Sequence, residues 1–232
     1  MPATAVILAG GSGIRAGLGI PKQFALIGNH PLIAYTIHAF ERHPRIDDII
    51  LVSRPDDITR LRSLCDTYSF RKIRSIIPGG ATRQMSSSNG ISACEGLTDD
   101  IVLIHDAARP ACSEALISRC IDKAAEHGAA LAAVPSTDTV LRARDGMIVE
   151  FLNRSELLCA QTPQSFRLGI IRDAHRKALE EGFTQATDDT SLVIRMGFPC
   201  AAAEGDAANI KVTTPGDFIL AEKLLKGIIP GN

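Results

Sequence analysis

Short, almost uninterrupted apolar runs alternate along this chain with segments whose apolar residues recur every three or four positions. The runs are Ala5-Val6-Ile7-Leu8, Ile49-Ile50-Leu51-Val52, residues 73–77, residues 101–104 and residues 129–134. Between them, Leu32, Ile33, Thr36, Ile37 and Phe40 keep helical spacing, as do Ile58, Leu61, Leu64, Cys65 and Tyr68, and Leu116, Ile117, Cys120, Ile121 and Ala124. A weaker, serine-rich helix is predicted over 84–97. A strand covered on both faces reads as a continuous apolar run, whereas a surface helix is apolar on one stripe only. Their alternation predicts an α/β fold, a Rossmann-like, mostly parallel sheet flanked by helices.

The rhythm breaks over 136–158. Residues 139–141 and 147–151 flank Arg144-Asp145-Gly146, a hairpin signal, because Asp-Gly suits the tight turns that join antiparallel strands. A two-stranded ribbon is marginal alone, so this arm is expected to pack on something else, such as a second subunit. Beyond it the pattern predicts helices over 168–181, 189–196 and 215–226, the last with Pro215 in its first turn. Strands are expected over 198–203 and in the β-like run Asn209-Ile210-Lys211-Val212.

Composition narrows the class. The 232 residues favour one large domain. Lys plus Arg is 25 against 26 Asp plus Glu, which rules out polybasic nucleic-acid binding as the main activity but leaves room for a local basic pocket. The sequence holds no apolar run of the roughly 18 residues a membrane span needs. The first basic residue, Arg15, lies downstream of the apolar start, which is unlike a secretory leader. Six cysteines without a C-x-x-C pair point to reduced thiols in a cytoplasmic protein. No Trp and only 2 Tyr argue against an aromatic platform for bases.

The glycine-rich segment Leu8-Ala9-Gly10-Gly11-Ser12-Gly13-Ile14-Arg15 follows the first strand. Gly11, Gly13 and Ala16 match G-x-G-x-x-G/A, the dinucleotide fingerprint. That fingerprint must open a helix at once, yet Gly17, Gly19 and Pro21 follow, and no acid ends the second strand, where Val52 gives way to Ser53 and Arg54. A nicotinamide site is therefore disfavoured. What remains is a basic loop in which Arg15 and Lys22 flank exposed backbone amides. Such a loop wraps a polyphosphate, because the amides form an anion nest and the cations neutralise charge.

Further candidates follow other strands. In Ile104-His105-Asp106-Ala107-Ala108-Arg109-Pro110, Asp106 stands at the edge of an open sheet where ligands bind. It is either a turn residue or a hard oxygen ligand for Mg²⁺ brought in by phosphates. Arg109 suits a phosphate or a nearby carboxylate. His105 invites a catalytic role, although a packed histidine is the commoner outcome. A second glycine loop, Gly79-Gly80, leads to Arg83 and Ser86, and its glycines would let backbone approach a flat base. Gln161-Thr162-Pro163-Gln164 reads as a polar turn presenting the Thr162 hydroxyl. Thr187-Asp188-Asp189 is a candidate helix cap. Lys211, between Ile and Val, is an edge gatekeeper or an inward phosphate ligand.

Taken in this order, Leu8 to Arg15, Pro21-Lys22-Gln23-Phe24, Gly79-Gly80 with Arg83 and Ser86, His105 to Pro110, Gln161 to Gln164, Thr187-Asp188-Asp189 and Asn209 to Pro215 resemble the 2-C-methyl-D-erythritol 4-phosphate cytidylyltransferases over nearly the whole chain. The sister group acting on ribitol 5-phosphate shares most of these motifs. The resemblance implies a glycosyltransferase-A-type sheet and a homodimer whose hairpin arm helps complete the partner's site. It assigns Arg15, Lys22 and Lys211 to catalysis. It assigns Ala9, Gly10, Gly11, Gly13, Gly80, Arg83, Ser86 and Ala107 to the nucleotide, CTP. The polyol phosphate would meet Arg109, Thr139, Arg154, Thr162 and Thr187, and Asp106 would serve Mg²⁺. Ala81 stands where some members carry an acid, so base contacts there fall to backbone. The reaction implied joins CTP to an acceptor phosphate with release of pyrophosphate; a nucleotide-binding module without turnover is the contrasting class.

Overall fold

The computed structural model describes residues 1–11 and 20–229; Gly13 and Arg15 lie outside them. In chain order the elements are β1 (Ala3–Ala9), β2 (Leu26–Ile27), β3 (His30–Pro31), α1 (Leu32–Arg42), β4 (Asp48–Ser53), α2 (Ile58–Thr67), β5 (Ile73–Pro78), α3 (Arg83–Ser92), β6 (Ile101–Asp106), α4 (Glu114–His127), β7 (Ala129–Pro135), β8 (Leu141–Arg144), β9 (Met147–Phe151), β10 (Leu158–Arg167), α5 (Leu168–Glu180), α6 (Asp189–Arg195), β11 (Ala201–Glu204) and α7 (Pro215–Leu225). Short 3-10 turns join some of them, one of which carries Lys22.

Seven strands form one sheet in the order β11-β7-β10-β6-β1-β4-β5. All run parallel except β10, which lies antiparallel between β6 and β7. The apolar runs earn their continuity by feeding two cores at once. Ala5 and Ile7 of β1, Ile49 and Leu51 of β4, and Ile101 and Leu103 of β6 pack with α1, α2, α4 and α7. Val6, Ile50, Val52, Val102 and Ile104 face the other way, against α3, α5 and α6. Successive strand side chains point to opposite faces, so a central strand has no polar positions to spare.

From β1 the chain builds outward through β4 and β5, then returns to place β6 on the other side of β1. The crevice above that reversal, at the carboxyl ends of β1, β4 and β6, is the natural ligand position of an open α/β sheet.

The predicted hairpin is present as β8 and β9, paired in a sheet of their own. Asp145 and Gly146 take φ of 51° and 78°, the left-handed values a two-residue primed turn demands. Its Met147, Ile148, Val149 and Phe151 are exposed in the single chain.

Two local expectations are corrected. Gln161-Thr162-Pro163-Gln164 is no turn: it lies inside β10, where the pairing with β7 shifts register between Ala160 and Gln164, and the Thr162–Pro163 peptide is cis. Proline and polar residues mimic a turn because an irregular strand tolerates them in the same way. The run from Asn209 to Val212 is not a strand but a loop leading into α7. Its apolar members are spent on local burial, with Val212 fully enclosed.

Candidate active site

Over the reversal point lies a cavity of about 410 Å³, walled by the ends of four strands. Ala9, Gly10 and Gly11 come from the end of β1; Ser53, Arg54 and Pro55 from the end of β4. Gly79 and Gly80 follow β5, and Asp106 and Ala107 close β6. Lys22, Arg83, Ser86 and Lys211 complete the wall.

The second glycine loop has a steric reason. A Cβ on Gly80 would run into the Cβ of Met85, and one on Gly79 would press the Ser86 hydroxyl. The loop therefore folds tightly over the first turn of α3. There the Thr82 side chain caps the helix by accepting from the Met85 amide at 3.1 Å. Ser86 Oγ accepts from the Gly80 amide at 3.1 Å and donates to the Thr82 carbonyl at 2.9 Å. Its proton is thus committed to backbone, and toward the cavity Ser86 can act only as an acceptor.

Asp106 is the electrostatic centre. Its Oδ2 lies 2.7 Å from Lys211 Nζ, and its Oδ1 lies 3.7 Å from Arg83 Nε. Burial works to raise the carboxyl pKa, but Lys211 first and Arg83 next overcome it and bring the value down to about 2. The carboxylate is therefore ionised throughout the physiological range. The ammonium of Lys22 donates to the carbonyl of Val212 at 2.6 Å. That carbonyl belongs to the residue after Lys211, so lysines 189 positions apart in sequence meet at one end of the sheet.

A neutral network holds Asp106 from below. Its amide donates to Thr162 Oγ1 at 3.1 Å, and Thr162 Oγ1 lies 3.0 Å from His105 Nδ1. His105 Nε2 lies 3.0 Å from the carbonyl of Arg109. A carbonyl only accepts, so Nε2 carries the proton and Nδ1 takes the Thr162 hydroxyl proton. Burial holds the imidazole neutral, with its pKa down to about 4. His105 is thus a packed support, not an exposed acid or base.

Two residues expected at the acceptor have polar atoms engaged within the chain itself. Thr162 is buried, and its hydroxyl accepts from the Asp106 amide and meets His105 Nδ1, so it fixes the backbone that carries the carboxylate. Arg109 spreads its guanidinium over two backbone carbonyls, donating to Asn209 at 2.8 Å and Ala160 at 3.3 Å. It also feels the charge of Asp106, and its two bonds tie β10 and the Lys211 loop to the end of β6. Thr139 and Arg154 are exposed at the arm, with Arg154 donating to the Thr137 carbonyl at 3.0 Å. Thr187 is exposed beside Asp188. None of these three lines the cavity of this single chain.

Sequence reasoning missed Asp189 and His175. Asp188 is the cap of α6, accepting from the Ser191 amide at 2.8 Å. Asp189 turns inward instead and is buried between Arg83 Nη1 at 2.7 Å and His175 Nε2 at 2.9 Å. The available signal was the doubled acid, since a helix start uses one such cap and leaves the second unexplained.

Comparison with known proteins agrees with these motifs. The family model described as 2-C-methyl-D-erythritol 4-phosphate cytidylyltransferase matches residues 3–227. A protein of that name from Syntrophotalea carbinolica is 44% identical over 221 residues, covering 95% of this chain and 94% of its own length. Another from Geobacter metallireducens is 43% identical over 233 residues, covering 99% and 100%. The solved 4-diphosphocytidyl-2C-methyl-D-erythritol synthase of Anaerococcus prevotii superposes with a TM-score of 0.84 at 30% identity, covering 97% of this chain and 96% of that one. With its strand-edge cavity, paired lysines and central aspartate, and with full-length similarity on both counts, the chain belongs to the 2-C-methyl-D-erythritol 4-phosphate cytidylyltransferase family.

Proposed function

We propose that this protein transfers the cytidylyl group of CTP to 2-C-methyl-D-erythritol 4-phosphate, giving 4-diphosphocytidyl-2-C-methyl-D-erythritol and pyrophosphate. The observation that carries the reading is the meeting of Lys22, Lys211 and Asp106 at a glycine-lined cavity.

An acceptor phosphate oxygen attacks the α-phosphorus of CTP, the new P–O bond forms, and the bond to the bridging oxygen of the β-phosphate breaks. Pyrophosphate leaves with the electron pair. The second pKa of a phosphate monoester is about 6, so the nucleophile is already ionised at pH 7 and needs no general base. The obstacle is repulsion between two anions. Catalysis is then positioning and charge neutralisation, which Lys22 and Lys211 would supply, with Arg15 added from the glycine-rich segment of the sequence.

The backbone of Ala9, Gly10, Gly11 and Gly80, together with Ala107, would hold nucleoside and phosphates. Ser86 as an acceptor suits the exocyclic amine of cytosine and disfavours the carbonyl that uracil carries in its place. Asp106 offers one hard oxygen toward the cavity, and no cluster of three or more metal-ligating side chains occurs among the described residues. This fits a divalent ion such as Mg²⁺ that shares its coordination among one carboxylate, the substrate phosphates and water. When bound, such an ion would neutralise phosphate charge.

The exposed apolar side chains of β8 and β9 support a homodimer in which the arm carries Thr139 and Arg154 to the partner's acceptor site, with Thr187 contributing there as well. Six unpaired cysteines, Cys65, Cys94, Cys112 and Cys120 of them buried, suit a cytoplasmic setting. Pyrophosphate release measured with CTP and either methylerythritol phosphate or ribitol 5-phosphate tests the reading. Turnover with the first acceptor alone supports it; preference for the second, or none with either while CTP still binds, overturns it.

A further inference from the structure

Arg83 is shared by two carboxylates of different character. Its Nη1 donates to Asp189 Oδ2 at 2.7 Å, whereas its Nε stands 3.7 Å from Asp106 Oδ1, an ion-pair separation beyond hydrogen-bond reach. Asp189 is almost fully enclosed. Its other oxygen accepts from His175 Nε2 at 2.9 Å, and its amide donates to Gln164 Oε1 at 2.9 Å. His175 is itself buried on α5. A line of alternating charge and hydrogen bond thus runs from α5 through the start of α6 and the start of α3 to Asp106 and Lys211.

An arginine beside one carboxylate in a poorly solvated site closes on it with two parallel hydrogen bonds. Arg83 does not do this at Asp106, because Asp189 competes for the guanidinium and holds it at the shorter distance. Asp189 can compete only while its own rotamer is held and part of its buried charge is met, and His175 does both. We propose that His175 is a positioning residue for the transfer, acting through Asp189 to hold Arg83 back from Asp106, so that the Asp106 carboxylate stays with Lys211 and open to the cavity. This rests on the reading under Proposed function.

Turnover of the unaltered enzyme with CTP and methylerythritol phosphate comes first. If it fails, the reading itself fails before His175 is touched. In an active enzyme, His175→Ala is expected to lower kcat about tenfold to a hundredfold, the usual loss when an outer partner of a reactive group is removed, with KM for CTP within about twofold. His175→Gln, which keeps an N–H donor near the same place, is expected to restore kcat to within about twofold of the parent. In an Arg83→Met background His175→Ala is expected to cost nothing further, since the residue through which it acts is gone. If His175→Ala does not fold, Asp189→Asn takes its place with the same kcat loss and the same silence beside Arg83→Met. Unchanged kcat, no rescue by Gln, or losses that multiply with Arg83→Met would each overturn the proposal.

Discussion

Lys211→Met keeps the length of the side chain and removes its charge. Asp106 then loses the partner at 2.7 Å and keeps Arg83 at 3.7 Å. In the parent, the carboxyl pKa falls from 3.8 to about 2 in spite of burial, with Lys211 the largest favourable cause. At 1.36 kcal/mol per pKa unit, that shift corresponds to about 2 kcal/mol. The Lys211 side chain is 45% exposed, so solvent screening brings its own share to about 1 kcal/mol. The folded pKa lies below the unfolded one. The contribution is therefore fully present above pH 3.8 and disappears as pH falls toward 2. The stability loss at neutral pH should be small. Catalysis should suffer far more, because the charge acts where phosphate charge develops: removing one such donor typically costs about 10²–10³ in kcat. Steady-state pyrophosphate release at saturating CTP, beside thermal melts of both proteins, separates the two effects. A variant that melts normally and keeps kcat within about threefold of the parent, below the smallest loss expected of such a donor, would refute the electrostatic account.

Three other outcomes are expected. His105 has its pKa lowered from 6.5 to about 4 by burial, so the unfolded chain takes up a proton that the folded one refuses, and stability should fall by about 3 kcal/mol as pH drops from 6.5 to 4; denaturant titrations of His105→Gln should show a flatter slope across that window. Gly80→Ala forces a Cβ against Met85, and calorimetric titration should show weakened CTP binding together with a stability loss of about 1–3 kcal/mol. Ile148→Asp with Phe151→Asp places charge on the exposed arm face; light scattering should report loss of the proposed dimer, and turnover should fall with it.

Much of the site was legible because strand ends and glycine loops are local features. Asp106 closes an apolar run, Gly79-Gly80 interrupts another, and Asp145-Gly146 marks the hairpin. What Thr162 and Arg109 hold within the chain was not legible, because a polar side chain near a site looks the same in sequence whether or not it also supports backbone. His105 shows the difference in the other direction. Its neutrality follows from burial, against which the Arg109 carbonyl works, and that enclosure comes from packing the motif does not show.

By itself, then, the sequence determined the alternation of strand and helix, the loops at which chemistry gathers and the identity of the charged groups. Those follow from periodicity, glycine sterics and charge, which act over a few residues. Tertiary structure alone decided that Lys22 would meet the Val212 carbonyl, that Lys211 would pair with Asp106, and that of two adjacent aspartates the second would turn inward to His175 and Arg83. Each of these joins groups distant in sequence, from 14 residues apart for His175 and Asp189 to 190 for Lys22 and Val212. Only closure of the sheet, with β10 reversed between β6 and β7, brings them within hydrogen-bond distance.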